Sequence, residues 1–599
     1  MTLRRGEIGL VFVLLAIVLA PRLVRLSADP PVDFHLGYLP DEGAWAHNAR
    51  QRVVFGHWVM EGHNPGLFAA PLYTATLAGV YRLSGVGWVQ TRLLSAVAGA
   101  MTCLLLYGML RAERSPRDSM PPALILGLNY FMLSHNRVGF TESLQLLLIT
   151  ATSLAVLYAA RRPGWGVLGG ACFVASLLAK PSAVVMGPIF LAFWVLHRTF
   201  ARRYEGLPRL SWRSLGWFAL GACATSAIVV LVLVLPHWEA IRQQLTISAR
   251  NVYGAESPGE GSRVVLFGWE GLGMTLNRFW VRSAILLLAM AALLITRLGK
   301  ALPRRPDLVE LLCWAWILGG LLFLATQRYQ PDRRFLFLMP PLVVLAWQAA
   351  SDGVLRIPSR EELRGLSRAE WPSMLLGALV GAALAFYAQP VLSPELLARL
   401  GLSPTTELRG WAGGWILSAG LVTGALIGPL ARRLLPSSTR RLPVWAFVAL
   451  FLLTDPVSFT VYLARPTYGG RDAARRLSEL TRGWDPADRV VVGNPAYTLS
   501  LGTDLFAFNI RNRPQTGDYE NLDGWARFNP GIAVVTTPRG RPVRDPIQLP
   551  IMKGIVTRGL VRCSEVPLYY DSKRRPTWVA RYYVRPDLSE ACSVRSLAP

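Results

Sequence analysis

The sequence predicts a polytopic α-helical membrane protein with about 13 transmembrane helices, followed by a small C-terminal α/β domain outside the membrane. Three observations carry that expectation. The 599 residues are 52% hydrophobic and only 17% charged, with a mean hydropathy of +0.34, which is less charge than a soluble globular chain holds. The apolar residues come in runs of roughly 16 to 22, about the length that crosses a bilayer as a helix. Most of the arginine sits in short loops between those runs, where orientation signals belong.

Read in order, the spans fall at 7–26, 89–110, 120–136, 142–160, 165–180, 182–198, 215–236, 281–299, 308–326, 334–350, 373–390, 411–430 and 443–463. The first run, Ile8 to Ala20, follows Arg4 and Arg5 as a signal peptide would. Pro21 directly after Ala20 makes a poor cleavage site, so the run reads as a retained span. Leu67 to Ser84 is apolar but interrupted by Pro71, and it carries Arg82. It reads as a surface or re-entrant helix. With the N-terminus inside, the loops Arg111–Ser119, Arg161–Arg162, Arg198–Arg213, Arg297–Arg305, Arg356–Arg368 and Arg432–Arg441 are cytoplasmic, and each holds at least two arginines. The long segments 27–66, 237–280 and 391–410 then lie outside and are poorer in arginine for their length.

After Leu463 the character changes, giving a membrane domain over 1–465 and an exported domain over 466–599. Asp472–Leu480 reads as a helix, while Arg489–Val492, Ile532–Thr536 and Trp578–Val584 read as strands. Cys563 and Cys592 lie in this part, where export would permit a disulfide. Cys103, Cys172, Cys223 and Cys313 stand singly in apolar runs and read as core or lipid-facing residues. The net charge of +26 invites a nucleic-acid partner, but the placement of the arginines in short loops argues for none.

The sharpest local feature is Tyr38-Leu39-Pro40-Asp41-Glu42-Gly43-Ala44-Trp45, just past the first span and opening what reads as a helix to about Phe55. Acidic residues at a helix start are favoured by the macrodipole, so simple capping is the plain reading. A carboxylate in a loop beside the lipid headgroups can also act as a general base. Sugar transfer from a phospholipid donor needs one to deprotonate the acceptor. One of Asp41 and Glu42 then serves as base, and the other orients the acceptor or an arginine.

Asp41 to Trp58, a D-E-x-x-W-x-x-x-A-R-x-x-x-x-x-G-x-W stretch, resembles the first-loop motif of the dolichyl-phosphate-mannose protein mannosyltransferases. Their bacterial relatives, the lipid A aminoarabinose transferases, have a similar motif; the family usually has Tyr where Trp45 stands. Four further stretches resemble the family in order: Asn64-Pro65-Gly66 with Pro71-Leu72-Tyr73; His135-Asn136-Arg137 with Thr141-Glu142; Ala179-Lys180-Pro181-Ser182; and Arg328-Tyr329 with Arg333-Arg334-Phe335 and Met339-Pro340-Pro341. The likeness covers about residues 8–350, and charge counting puts all five stretches on the outer face.

The resemblance implies the GT-C membrane fold, with Asp41 as catalytic base and Glu42 beside it. It implies an inverting transfer from a polyprenyl-phosphate sugar to a protein, lipid or glycan acceptor at the extracytoplasmic face. Glu142, Arg137, Lys180, Arg328, Tyr329, Arg333 and Arg334 are the candidate substrate-binding residues, since cations against the departing phosphate stabilise it most in the transition state. Lys180 stands between two apolar runs with no other charge nearby, so it needs a partner such as Glu142. The expected setting is a bacterial inner membrane.

No cofactor is required on this reading. Asp41, Glu42 and Glu142 offer oxygen ligands to a divalent cation, but these carboxylates also serve acid–base and ion-pair roles. His35, His47, His57 and His63 match no zinc spacing. No Walker A or Rossmann fingerprint is present, which argues against a soluble nucleotide-sugar donor. The main rival is a transporter or flippase of lipid-linked saccharides. Such proteins place charges at mid-membrane and show inverted repeats, neither of which the sequence displays.

Overall fold

The computed structural model describes residues 5–30, 38–58, 66–203, 210–239, 307–326, 332–351, 455–464, 466–508, 528–540, 549–570 and 575–593, with a few isolated positions between them. Seven described helices are long and apolar enough to cross a membrane: Gly6–Leu23, Trp88–Arg111, Thr141–Ala159, Pro181–Arg198, Trp212–Val234, Leu308–Ala325 and Asp332–Ser351. The expected spans at 373–390 and 411–430, and most of 281–299, lie outside the described residues.

The helices in chain order are α1 (Arg5–Leu23), α2 (Tyr38–Val54), α3 (Pro71–Ser84), α4 (Trp88–Arg111), α5 (Pro116–Leu128), α6 (Tyr130–Asn136), α7 (Thr141–Ala159), α8 (Trp165–Ala179), α9 (Met186–Arg203), α10 (Trp212–Val229), α11 (Leu308–Ala325) and α12 (Met339–Ser351). α2 is the helix expected after the acid pair. α3 is the helix expected between Leu67 and Ser84; at 14 residues it is too short to span. It packs on α2 and α4 with Tyr73, Leu77 and Tyr81 buried.

Small residues decide several helix contacts. α8 lies against α10, where a side chain at Gly170 would collide with the carbonyl of Phe218 and one at Gly221 with that of Val167. Lipid offers no hydrophobic drive between helices, so such close backbone approach is what holds them. The outer face of α10 stays apolar and exposed at Trp217, Leu220 and Ile228, as a lipid-facing surface should be.

One expected element is corrected. The span read at 120–136 is two helices, α5 and α6, broken at Asn129. Asn129 accepts from Met132 N at 3.1 Å and so caps α6. Its amide nitrogen donates to Asp455 Oδ1 at 2.7 Å, and Tyr130 N donates to the same oxygen at 2.8 Å. The break is a local side-chain bond winning over helix propagation.

Ion pairs lace the end of the bundle that the arginine count assigns to the cytoplasm. Arg111 bonds Glu7 at 2.5 Å and Arg114 bonds Asp307 at 2.7 Å. Asp307 also accepts from Glu310 N at 2.7 Å, starting α11.

The C-terminal part holds α13 (Gly469–Leu480), α14 (Ala496–Leu499), α15 (Leu549–Thr557) and five strands: β1 (Val490–Val492), β2 (Phe506–Phe508), β3 (Ile532–Pro538), β4 (Val561–Tyr570) and β5 (Pro576–Val584). The sheet order is β2-β1-β3-β5-β4, parallel among β2, β1 and β3, antiparallel at β3–β5 and β5–β4. Tyr582, buried beneath it, donates to Ala473 O at 2.7 Å and so fastens α13 to the sheet. Burial pushes that phenol far above its usual range, so it remains a donor. Cys563 and Cys592 form a disulfide, tying β4 to the chain after β5.

Candidate active site

α2 carries the acid pair and packs against α3 and against α14 of the C-terminal domain. The two acids part company. Asp41 reaches outward and its Oδ2 lies 2.7 Å from Arg333 Nη1. Glu42 is fully buried, with Oε1 and Oε2 each 2.8 Å from Arg92 and Oε1 also accepting from Gly139 N at 2.8 Å. Arg92 in turn donates to Leu26 O at 3.0 Å and Ala28 O at 2.6 Å, fixing the chain that leaves α1. Glu42 therefore holds an arginine. A carboxylate that meets a guanidinium edge-on at both oxygens is poorly placed to take a proton.

Arg333 comes from the 3₁₀ segment Asp332–Leu338, which leads into α12. Its Nε lies 3.0 Å from Glu142 Oε1 and its guanidinium sits 5.2 Å from the Phe140 ring. Glu142 opens α7 and also pairs with Lys180, the residue that ends α8. Lys180 lies 5.8 Å from the Trp45 ring, one turn along α2 from Asp41. Four distant stretches of sequence thus meet as a chain of alternating charge: Asp41, Arg333, Glu142, Lys180.

A cavity opens beside them, with Glu142, Gln145, Lys180, Ser182, Arg333 and Arg334 as its polar lining and Ile149, Val185, Phe323, Leu324, Leu336 and Phe337 as its apolar lining. Gln145 Nε2 donates to Ser182 Oγ at 3.0 Å, which holds the polar rim in place. Among the lining residues Lys180, Arg333 and Arg334 outnumber Glu142 as charges, and half of the lining is apolar. That combination suits a ligand with an anionic head and a hydrocarbon tail.

Among the expected site residues, Asp41, Glu142, Lys180 and Arg333 come together, and Arg334 lines the same cavity. Arg137 does not join them. It donates to the carbonyls of Pro21, Arg22, Val24 and Arg25 at 2.6–3.0 Å and lies 5.5 and 5.7 Å from the rings of Phe459 and Tyr462. It staples the end of α1, and the physical reason is plain: that turn leaves carbonyls without helical partners. Arg328 and Tyr329 lie outside the described residues. Among the described residues no three of His, Cys, Asp and Glu gather as a metal site. Asp41 and Glu142 converge on a guanidinium, and Glu42 is held by another.

Two contributors were missed in the sequence. Arg92 was absorbed into the span at 89–110, although a lone arginine inside an apolar run demands a partner. Asp29 accepts from Gly469 N at 2.7 Å and Gly470 N at 3.1 Å, capping α13 from the far end of the chain. Nothing local to Asp29 announces that.

The family model described as dolichyl-phosphate-mannose-protein mannosyltransferase matches residues 68–238, which include Glu142 and Lys180. ArnT from Cupriavidus metallidurans in the apo state is similar over 98% of this chain and 99% of that one, with 14% identity and a TM-score of 0.51. The same protein bound to undecaprenyl phosphate aligns over 96% of this chain and 98% of its own, with 16% identity and a TM-score of 0.47. The Archaeoglobus fulgidus oligosaccharyltransferase tethered to an acceptor peptide aligns over 89% of this chain and 69% of its own, with 12% identity and a TM-score of 0.47. The curated proteins contain no match. The family model thus covers residues 68–238, and along almost its whole length this integral membrane protein shares the fold of ArnT.

Proposed function

We propose that this protein is a membrane glycosyltransferase that moves a sugar from a polyprenyl-phosphate donor to an acceptor at the extracytoplasmic face of a bacterial inner membrane. The observation that carries the reading is the ion-pair chain from Asp41 through Arg333 and Glu142 to Lys180, set at the mouth of a half-apolar cavity. On this reading the chain spans the membrane about 13 times, with the N-terminus inside and residues 466–599 outside. The acceptor is a protein, lipid or glycan hydroxyl or amine.

The chemistry follows from the geometry. The donor phosphate takes its place against Lys180, Arg333 and Arg334, with its hydrocarbon tail along Phe323, Leu324 and Phe337. Negative charge grows on the leaving phosphate as the anomeric bond breaks, so fixed cations there stabilise the transition state more than the ground state. Asp41 takes the proton of the acceptor as it attacks the anomeric carbon from the opposite face, and the sugar is transferred with inversion. Glu142 keeps Lys180 and Arg333 aimed at the phosphate. The scheme draws its positive charge at the phosphate from Lys180, Arg333 and Arg334.

The test is turnover of a panel of polyprenyl-phosphate sugars by the purified protein in nanodiscs, with a membrane extract as acceptor source. Asp41→Asn is expected to lower polyprenyl-phosphate release by 100-fold or more, the scale of general-base catalysis (~10²–10⁴), with expression unchanged. An Asn variant that turns over at the wild-type rate would remove Asp41 from the mechanism.

A further inference from the structure

The α2 helix has two working faces. Asp41 and Trp45 lie one turn apart and address Arg333 and Lys180. Gly43, His47 and Arg50 follow at i, i+4 and i+7, a single stripe on the opposite side of the helix. That stripe is bound along its length by the C-terminal domain. Gly43 N donates to Thr498 Oγ1 at 2.8 Å. The His47 ring lies 3.9 Å from the Tyr497 ring, centroid to centroid. Arg50 Nη2 donates to Thr503 O at 2.9 Å and Leu505 O at 2.5 Å. Burial draws the Arg50 guanidinium down to about 10, with Tyr81 and Asp504 opposing the shift, and it stays charged at neutral pH.

The fit at Gly43 leaves no slack. A Cβ there would fall inside the backbone and side chain of Thr498, so only glycine lets α14 come this close. Thr498 is itself fully buried. The contact sits two residues from Asp41, on the backbone that carries it. A shift of about 1 Å in a reacting group can cost about 100-fold in rate, and a buried hydrogen bond at this point sets that distance.

We infer that the C-terminal domain is a clasp on the back of the acid helix, and that Thr498 is a positioning residue for Asp41. This rests on the transferase reading of the site. The domain acts through α2 and touches none of the reacting atoms; it fixes where the carboxylate stands relative to Arg333 and the bound donor.

Thr498→Val keeps the shape of the side chain and removes the oxygen that accepts from Gly43. Thr498→Ser keeps the oxygen. Two quantities are measured on the full chain in nanodiscs: steady-state transfer from a polyprenyl-phosphate sugar, and backbone hydrogen exchange over residues 41–47. The valine variant is expected to lower kcat about tenfold or more, to leave the donor KM within about twofold, and to speed exchange at Gly43. The serine variant is expected to restore both. Tyr497→Leu, which removes the ring beside His47, is expected to act in the same direction and serves if the valine variant does not fold. Faster exchange in the valine variant supports the clasp even if the wild type turns over no donor, an outcome that would sink only the transferase reading. Unchanged exchange overturns the clasp even if the wild type is active, and so does a serine variant as impaired as the valine one.

Discussion

At the scale of single residues, neighbouring carboxylates do different work because their surroundings differ. Glu42 is wholly enclosed with Arg92, whereas Asp41 is partly exposed beside Arg333. Removing one partner of a buried pair leaves the other charge stranded, at a cost of about 3–5 kcal/mol. Glu42→Gln is therefore expected to lower stability by about 3 kcal/mol, read as an earlier unfolding midpoint in detergent, while Asp41→Asn leaves that midpoint nearly unchanged. Equal midpoints for the two variants would contradict the division. The sequence shows the pair of acids but not which is enclosed. Arg92 lies 50 positions from Glu42, and Gly139 lies 97 positions away. Lys180 was legible for the opposite reason: a single amine between apolar runs must find a counter-charge, and Glu142 was the nearest acid at a helix start. That Arg333 would reach both Glu142 and Asp41 depends on tertiary packing that no local pattern encodes.

Elements follow the same division between local and distant causes. α4, α7 and α11 were readable because hydrophobic runs and terminal signals agree over many residues, and α2 from the proline and acid pair at its start. The break at Asn129 was not, because its cause is Asp455, more than three hundred residues on. In the C-terminal sheet, β1, β3 and β5 stood out as β-branched or alternating runs. β2 has only three residues and β4 contains Pro567, so neither gave a clear period. The Cys563–Cys592 bridge closes a loop with a sequence separation of 29 around β4 and β5. Replacing both cysteines by serine is expected to destabilise the C-terminal domain by about 3 kcal/mol, from the chain entropy of a loop this long. Denaturation followed by tyrosine and tryptophan fluorescence, with and without reductant, checks it. A wild-type curve that reductant does not move would show that the bridge contributes nothing.

For the whole molecule, the arginine count and the structure bear on the same question from different sides. The ion pairs at Arg111 and Arg114 lie at the end assigned to the cytoplasm, and the disulfide lies in the part assigned to the outside. A disulfide belongs in an oxidising compartment, which is consistent with export of the C-terminal domain. In a variant without the native unpaired cysteines, a cysteine at exposed Arg539 is expected to react with a membrane-impermeant maleimide on intact spheroplasts. A cysteine at exposed Arg162 should react only after permeabilisation. The reverse pattern would turn the topology over and place the acid helix on the cytoplasmic side.

The bond between Gly43 and Thr498 joins positions 455 residues apart, and Asp29 caps a helix 440 residues downstream. At about 5–20 residues per second, the ribosome needs roughly 20 to 90 s to travel from one end of the first bond to the other. Through that interval the back of the acid helix is without its partner at Thr498. The domain made later is the one that holds the helix made earlier. A chain cut short before residue 498 therefore holds Asp41, Glu142, Lys180 and Arg333 and still lacks the contact at Gly43.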